Sequence, residues 1–191
     1  MSCKSINYTV RPRHIIFNME IRKYDRAAVV AYARRWAFRR NPEYFSFNNL
    51  GGDCTNFASQ CIYAGAGAMN YTPIFGWYYI DAENRTASWT GVEYLYNFLT
   101  GNTEGAGPFA EEVGIGRLRV GDIVQLGRAT GDFYHTPVVV GFSRGQPLVA
   151  AHSYDVFGKP LFSYRFDRLR CLHIEGVRIC TESAIDNGDE I

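Results

Sequence analysis

Gly51-Gly52-Asp53-Cys54-Thr55-Asn56-Phe57 is the segment on which the reading of this chain turns. Two consecutive glycines permit a tight backbone approach and φ angles closed to other residues. They run straight into a predicted helix, whose buried face is Phe57, Ala58, Cys61, Ile62 and Ala64 and whose end is marked by Gly65 and Gly67. A cysteine in the first turn of a helix feels unpaired backbone N–H groups and the positive end of the dipole. Both favour thiolate over thiol, so the Cys54 pKa is expected to fall. The same N–H groups can hold the oxyanion of a tetrahedral intermediate. The structural alternative is a small buried hydrophobe, the ordinary fate of a free cysteine. Cys61, seven residues on and on the same helix face, reads as core packing and cannot reach disulfide geometry with Cys54 inside one helix.

Upstream, Asp25 can cap a helix running to about residue 40, with Arg34, Arg35, Arg39 and Arg40 in its C-terminal half, where cations suit the dipole, and Asn41-Pro42 as its stop. Downstream, residues 69–87 are aromatic and loop-like. A third helix is expected from near Ser88, with Thr90 and Glu93 at capping-box spacing and Val92, Leu95, Tyr96 and Leu99 on one face. Gly101 ends it, and a Gly-rich loop follows to about Gly116. Residues 122–126, 134–142, 148–152, 161–166 and 170–175 then read as strands. Helices first and an antiparallel sheet second is an α+β order. Residues 1–22 read as a tail or edge extension, with weak strand signals at 7–10 and 14–17, residues 23–180 as the domain and 181–191 as a second tail. Met19 is an alternative start.

Two of the four histidines fall at one end of the predicted sheet. His135 begins the apolar run Thr136-Pro137-Val138-Val139-Val140, and His152 closes the next strand. A hairpin turning at residues 143–146 would bring both to the same end. One imidazole can then take a thiol proton while the other fixes its tautomer. Either can instead be a hydrogen-bonded structural residue. Asp155 is a second choice for the third polar member. Asp53 either caps its helix or binds a substrate amine. Asn48 is a candidate oxyanion donor, and Thr55, beside the nucleophile, joins it as a substrate-binding or oxyanion candidate. Asp122 reads as a site residue or as a turn residue binding its own backbone. Trp77, with Tyr78, Tyr79 and Trp89, either walls a substrate groove or fills the core.

The 191 residues, 47% hydrophobic and 20% charged, suit one globular domain. A formal net charge of +1 gives no electrostatic case for nucleic acid or an anionic membrane. The longest apolar runs are strand-sized, far short of the roughly 18 residues that span a bilayer. Five irregularly spaced cysteines, most of them expected to be reduced and buried, and an N-terminus without an apolar signal region predict a cytoplasmic protein. Cys171-x-His173 with Cys180 lacks paired zinc-ligand spacing, and no phosphate loop, dinucleotide fingerprint or His-Glu-x-x-His occurs. No metal and no cofactor is expected.

Asp53-Cys54 at a helix start, Leu118-x-x-Gly121-Asp122-Ile123-Val124, His135 leading one apolar strand and His152 ending the next together resemble the layout of the NlpC/P60 and CHAP hydrolases. A nearer resemblance is to the bacterial putative amidase domain family. It rests on Tyr24-Asp25-Arg26, Gly51 to Gln60, the Trp-rich middle, the Gly-Asp strand and a late histidine, and runs from about residue 24 to 175. The resemblance implies a papain-like α+β fold, with helices on a central antiparallel sheet, and amide hydrolysis through a thioester acyl-enzyme. It implies Cys54 as nucleophile, His135 as general base and His152 as the polar third member. Thr55-Asn56 stands where NlpC/P60 enzymes typically show Ser-Gly, so their cell-wall peptide specificity does not transfer directly. A small peptide or amide is the expected substrate, with the oligomeric state open. An acyltransferase using the same residues, or a binding module with an inert Cys54, are the competing readings.

Overall fold

The carboxylate of Asp25 accepts from the Ala28 N–H at 3.0 Å and opens α1 (Arg26–Trp36), four residues shorter than the sequence suggests. This geometry comes from a computed structural model, described for residues 14–185. The expected strand at 7–10 lies outside the described residues. Gly51 and Gly52 adopt φ of 102° and 114°, as a tight approach to a helix start requires. α2 (Cys54–Ala66) follows and ends on Gly67 in the left-handed conformation. α1 packs across α2 at Gly65, where a Cβ atom would stand 2.6 Å from Val29 Cγ2 and 2.7 Å from the Asp25 carbonyl.

The expected third helix divides in two. α3 (Ala87–Thr90) stops at Gly91, whose extended backbone (φ −108°, ψ 131°) opens α4 (Val92–Gly101). Thr90 therefore lies inside a helix and is not the cap that its spacing with Glu93 suggested. What reads as a Gly-rich loop holds a strand, β2 (Gly107–Val113). Its neighbours are β1 (His14–Arg22), β3 (Ile123–Gly127), β4 (Phe133–His135), β5 (Val138–Ser143), β6 (Gln146–Ala151), β7 (Val156–Pro160) and β8 (Arg168–Ile185). Pro137, which has no N–H to donate, divides β4 from β5. The residues 161–166 expected as a strand form a 3₁₀ turn, Leu161–Ser163, and a loop.

All the strands form one antiparallel sheet in the order β1-β8-β3-β5-β6-β7, with β2 also on β8 and β4 also on β3. β1 pairs β8 from His14↔Ile185 to Arg22↔Val177; β1 runs five residues past the expected 14–17, and β8 extends beyond the expected 170–175 at both ends. The β5–β6 turn is the expected hairpin, with Arg144 and Gly145 at φ of 50° and 77°. The α+β expectation holds. Strand alternation gives the sheet two apolar faces. Ile123, Val138, Ala150, Leu172 and Ile174 meet the helices, while Val124, Leu126, Val139, Val149 and Cys171 pack around Leu161 on the other side.

One ion pair, its carboxylate fully buried and its guanidinium partly so, fastens α1 to this sheet. Arg26 Nη1 donates to Asp122 Oδ1 at 2.6 Å and to the Val120 carbonyl at 2.9 Å, and Nη2 donates to the Ile174 carbonyl at 2.6 Å. Asp122, with no exposed surface, also accepts from the Arg119 and Ile174 N–H groups and from His173 Nδ1 at 2.8 Å. Asp122 thus binds its own turn through Arg119, as the turn reading expected, and anchors α1 to the sheet as well. Asp122→Ala leaves the guanidinium without its carboxylate and is expected to destabilise by about 3–5 kcal/mol, read from urea denaturation. A loss below about 1 kcal/mol would mean that apolar packing alone holds α1 on the sheet.

Candidate active site

α2 is buried along almost its whole first two turns, polar residues included. Each polar side chain there has a partner, as burial demands. Asn56 donates to the Phe45 carbonyl at 3.0 Å and to Asp53 Oδ1 at 2.8 Å, and accepts from Trp89 Nε1 at 3.0 Å. Ser59 accepts from Trp77 Nε1 at 3.1 Å, and Gln60 accepts from the Tyr32 hydroxyl at 2.8 Å. These bonds fix the rotation of the helix and so the direction in which Cys54 points.

Cys54 is the first residue of α2 and is only 7% exposed. Its Sγ lies 3.9 Å from the Tyr134 carbonyl oxygen and 3.8 Å from Thr55 Oγ1. The backbone N–H groups of Thr136, Thr55 and Cys54 lie near enough to favour a charged sulfur, without forming hydrogen bonds to it. His135 is therefore held between the two residues that line the thiol, Tyr134 and Thr136. Thr55 Oγ1 and Thr136 Oγ1, 3.2 Å apart, stitch α2 to that strand end. The thiol pKa does not fall as its helix position suggests. Burial pushes it up, and the N–H groups and the Thr55 hydroxyl offset only part of this. Burial also drives His135 down to about 4, and the nearby charge of Lys159 adds to it. At neutral pH the site holds a thiol and a neutral imidazole, with no hydrogen bond between them. His135 Nε2 is buried and unpartnered.

His152 does not join His135. Its Nδ1 is 2.8 Å from Asp53 Oδ2 and its Nε2 is 2.9 Å from the Trp36 carbonyl, so both ring nitrogens are committed. Both partners are acceptors; an imidazolium satisfies the two, and a neutral ring leaves one unpaired. The ring also stacks on Phe57 at 4.0 Å between centroids. The hairpin does bring His152 to the expected end of the sheet, but it faces the Asp53 side of the helix start.

Asp53 precedes α2 yet makes no side-chain cap. Its Oδ1 accepts from the Phe47 N–H at 2.9 Å and from Asn56, while Oδ2 meets His152 and lies 3.3 Å from Arg40 Nε, an ion pair without hydrogen-bond alignment. Burial pushes its carboxyl pKa up, but the donors from His152, Phe47 and Asn56 outweigh burial and hold it below the ordinary value. Arg40 reaches on to Asp155 through two bonds of 3.0 and 2.8 Å, which removes Asp155 as a partner of His135. The Asp53 N–H donates to Ser153 Oγ at 2.8 Å. Ser153 holds a φ of 74°, unusual for a residue with a side chain.

Asn48 is exposed in a turn, so the expected oxyanion role finds no support in its placement. Trp77 is fully buried among Trp89, Phe98 and Ser59, which makes it core rather than groove wall. Sequence reasoning missed Asn56, although its i+3 spacing from Asp53 placed it over that carboxylate. It also missed Arg40 and Ser153, for which only the fold supplies a signal. Among the described residues no group of three or more His, Cys, Asp or Glu could hold a metal ion, and Cys54, Cys61 and Cys171 are free and buried. Among the same residues no helix is long and apolar enough to cross a membrane.

A cleft of about 450 Å³ opens beside the site, lined by Gly127, Arg128, Tyr134, Phe162, Tyr164 and Arg165 among others. Tyr134 connects the two, its side chain on the cleft and its carbonyl at the Cys54 sulfur.

A family described as "Putative amidase domain" matches residues 23–174. "Uncharacterized protein YhbB" of Bacillus subtilis (strain 168) is 34% identical over 141 residues, covering 70% of this chain and 42% of that protein. The chain thus spans less than half the length of this relative. No solved structure matches.

Two outcomes follow from the Asp53 cluster. His152→Ala leaves a buried carboxylate short of its donor and is expected to cost about 3–5 kcal/mol of stability, measured by urea denaturation at pH 7. Because the Asp53 pKa is lowered on folding, its contribution is complete above the ordinary value of 3.8 and is lost as pH falls through the lowered one. The wild-type urea midpoint should therefore drop more steeply than that of Asp53→Asn as pH falls below the ordinary 3.8. Parallel curves would remove Asp53 as the source.

Proposed function

The chain belongs to the putative amidase domain family, and from that premise we propose that it is a cysteine-dependent amide hydrolase of papain-like architecture, related to the NlpC/P60 and CHAP hydrolases. The observation that carries this reading is the seating of the Cys54 sulfur. It sits at the first turn of α2, among N–H groups, between the two residues that flank His135. The helix-before-sheet order, with α2 packed on the sheet and its start in contact with the two neighbours of a strand-end histidine, supports the papain-like assignment.

In this mechanism His135 takes the Cys54 thiol proton as Sγ attacks the amide carbonyl carbon. A C–S bond forms and the carbonyl oxygen becomes an oxyanion, stabilised by the N–H groups at the helix start. Collapse breaks the C–N bond, and the imidazolium hands its proton to the departing amine. Water then attacks the thioester while His135 takes its proton. The C–S bond breaks, the acid leaves and the thiol recovers its proton. With a raised thiol and a lowered imidazole, proton transfer accompanies attack instead of preceding it. The substrate is a peptide or small amide laid along the cleft at Tyr134, where Arg165 can meet a carboxylate. His152 and Asp53 serve by holding the helix start in place.

Brief treatment with a peptide-like cysteine electrophile, followed by peptide mapping, tests the assignment. Cys54 is expected to label well ahead of Cys61 and Cys171. His135→Ala should slow that labelling by about 10²-fold or more, and Cys54→Ala should abolish it. The acid limb of the labelling profile should lie near pH 4, where His135 takes up its proton. Slow labelling spread over several cysteines and indifferent to His135 would leave a binding module with an inert thiol.

A further inference from the structure

His135 has no polar third member among the residues the sequence offered, since His152 and Asp155 are both engaged elsewhere. Its Nε2 is buried without a partner, and so is one other hydroxyl nearby, that of Tyr164. The two rings lie 5.6 Å apart between centroids, at 45° to one another. Tyr164 follows the 3₁₀ turn Leu161–Ser163, and its N–H is fixed to the Leu161 carbonyl at 3.1 Å. Lys159 Nζ rests 3.9 Å from the centre of the Tyr164 ring, which holds that face. The tyrosine also lines the cleft beside the site.

We propose that Tyr164 is the positioning residue of the site: His135 Nε2–H donates to Tyr164 Oη, which leaves Nδ1 bare to receive the Cys54 proton. This rests on the Cys54–His135 reading above. Two buried polar atoms left unpaired side by side cost more than the small side-chain rotation that joins them. A neutral imidazole carries one proton, so fixing it on Nε2 decides which nitrogen is the base. When Nδ1 takes the thiol proton, the Nε2–H bond stays in place and now serves a cation, which strengthens it. The Tyr164 O–H proton is not used in this bond. Burial, with Cys54 and Tyr134 acting in the same direction, raises the Tyr164 hydroxyl to about 12, so it stays protonated through the cycle.

Tyr164→Phe keeps the ring and its contact with Lys159 and removes only the hydroxyl. Two readouts on wild type, Tyr164→Phe and His135→Ala test the proposal. In the first, ¹⁵N-histidine NMR, with His135→Ala assigning the signal, should show the Nε2–H tautomer in wild type and a shift toward mixed tautomers in Tyr164→Phe. In the second, electrophile labelling of Cys54 should slow roughly three- to tenfold in Tyr164→Phe, with its acid limb moved to lower pH and the urea midpoint unchanged. An unchanged tautomer and an unchanged labelling profile in Tyr164→Phe, with His135→Ala still slow, overturn the Tyr164 assignment alone. Labelling indifferent to His135→Ala overturns it together with the Cys54–His135 reading.

Discussion

A carboxylate with no exposed surface, Asp53, is the point from which the site is organised. It collects a backbone N–H from Phe47, a side-chain amide from Asn56, an imidazole from His152 and the flank of a guanidinium from Arg40. These donors arrive from the loop before α2, from α2 itself, from the end of β6 and from the segment after α1. A buried charge is tolerated only when such donors surround it. The requirement therefore ties four separate parts of the chain to the residue next to Cys54. The Gly51-Gly52 turn brings that residue into position, and Ser153 closes over its N–H.

The helix that follows is held by the same means. Asn56, Ser59 and Gln60 each spend their polar atoms on a partner from a different element: Phe45 and Trp89, Trp77, and Tyr32. Apolar packing alone leaves a helix free to settle in several rotations. Directional bonds at successive positions of α2 select one, and that one aims Cys54 at the Tyr134–Thr136 strand end. The cost appears at the sulfur. The enclosure that fixes the helix also strips water from Cys54 and His135, raising the thiol and lowering the imidazole. On the proposed Cys54–His135 reading the resting site is thus neutral, with charge separation left for the moment a substrate arrives.

Much of this was legible in the chain. Gly51-Gly52 running into Cys54, the Asp25 cap, the Arg144-Gly145 hairpin and the alternation of β3, β5 and β6 are all local signals, set by φ limits, capping and side-chain period. Elements whose identity depends on distant partners were misread. β2 exists because it pairs with β8, and residues 161–166 are no strand because Leu161 is drawn under the sheet. Gly91 separates α3 from α4 where sequence spacing suggested one capped helix.

The sequence by itself determined that a cysteine would stand at a helix start, with two histidines at one end of a hairpin, because these facts depend on neighbours a few residues away. Only the tertiary structure decided which histidine keeps company with which partner. His135 and His152 share a sheet end, yet His152 turns to Asp53 and Trp36 while His135 lies against Tyr164. The choice rests on burial and on donor–acceptor matching among groups up to 116 residues apart. The direction of the Cys54 shift was decided in the same way. A helix start lowers a thiol pKa when water is near, and the packing of Tyr134, Thr136 and Thr55 around the sulfur removes that water.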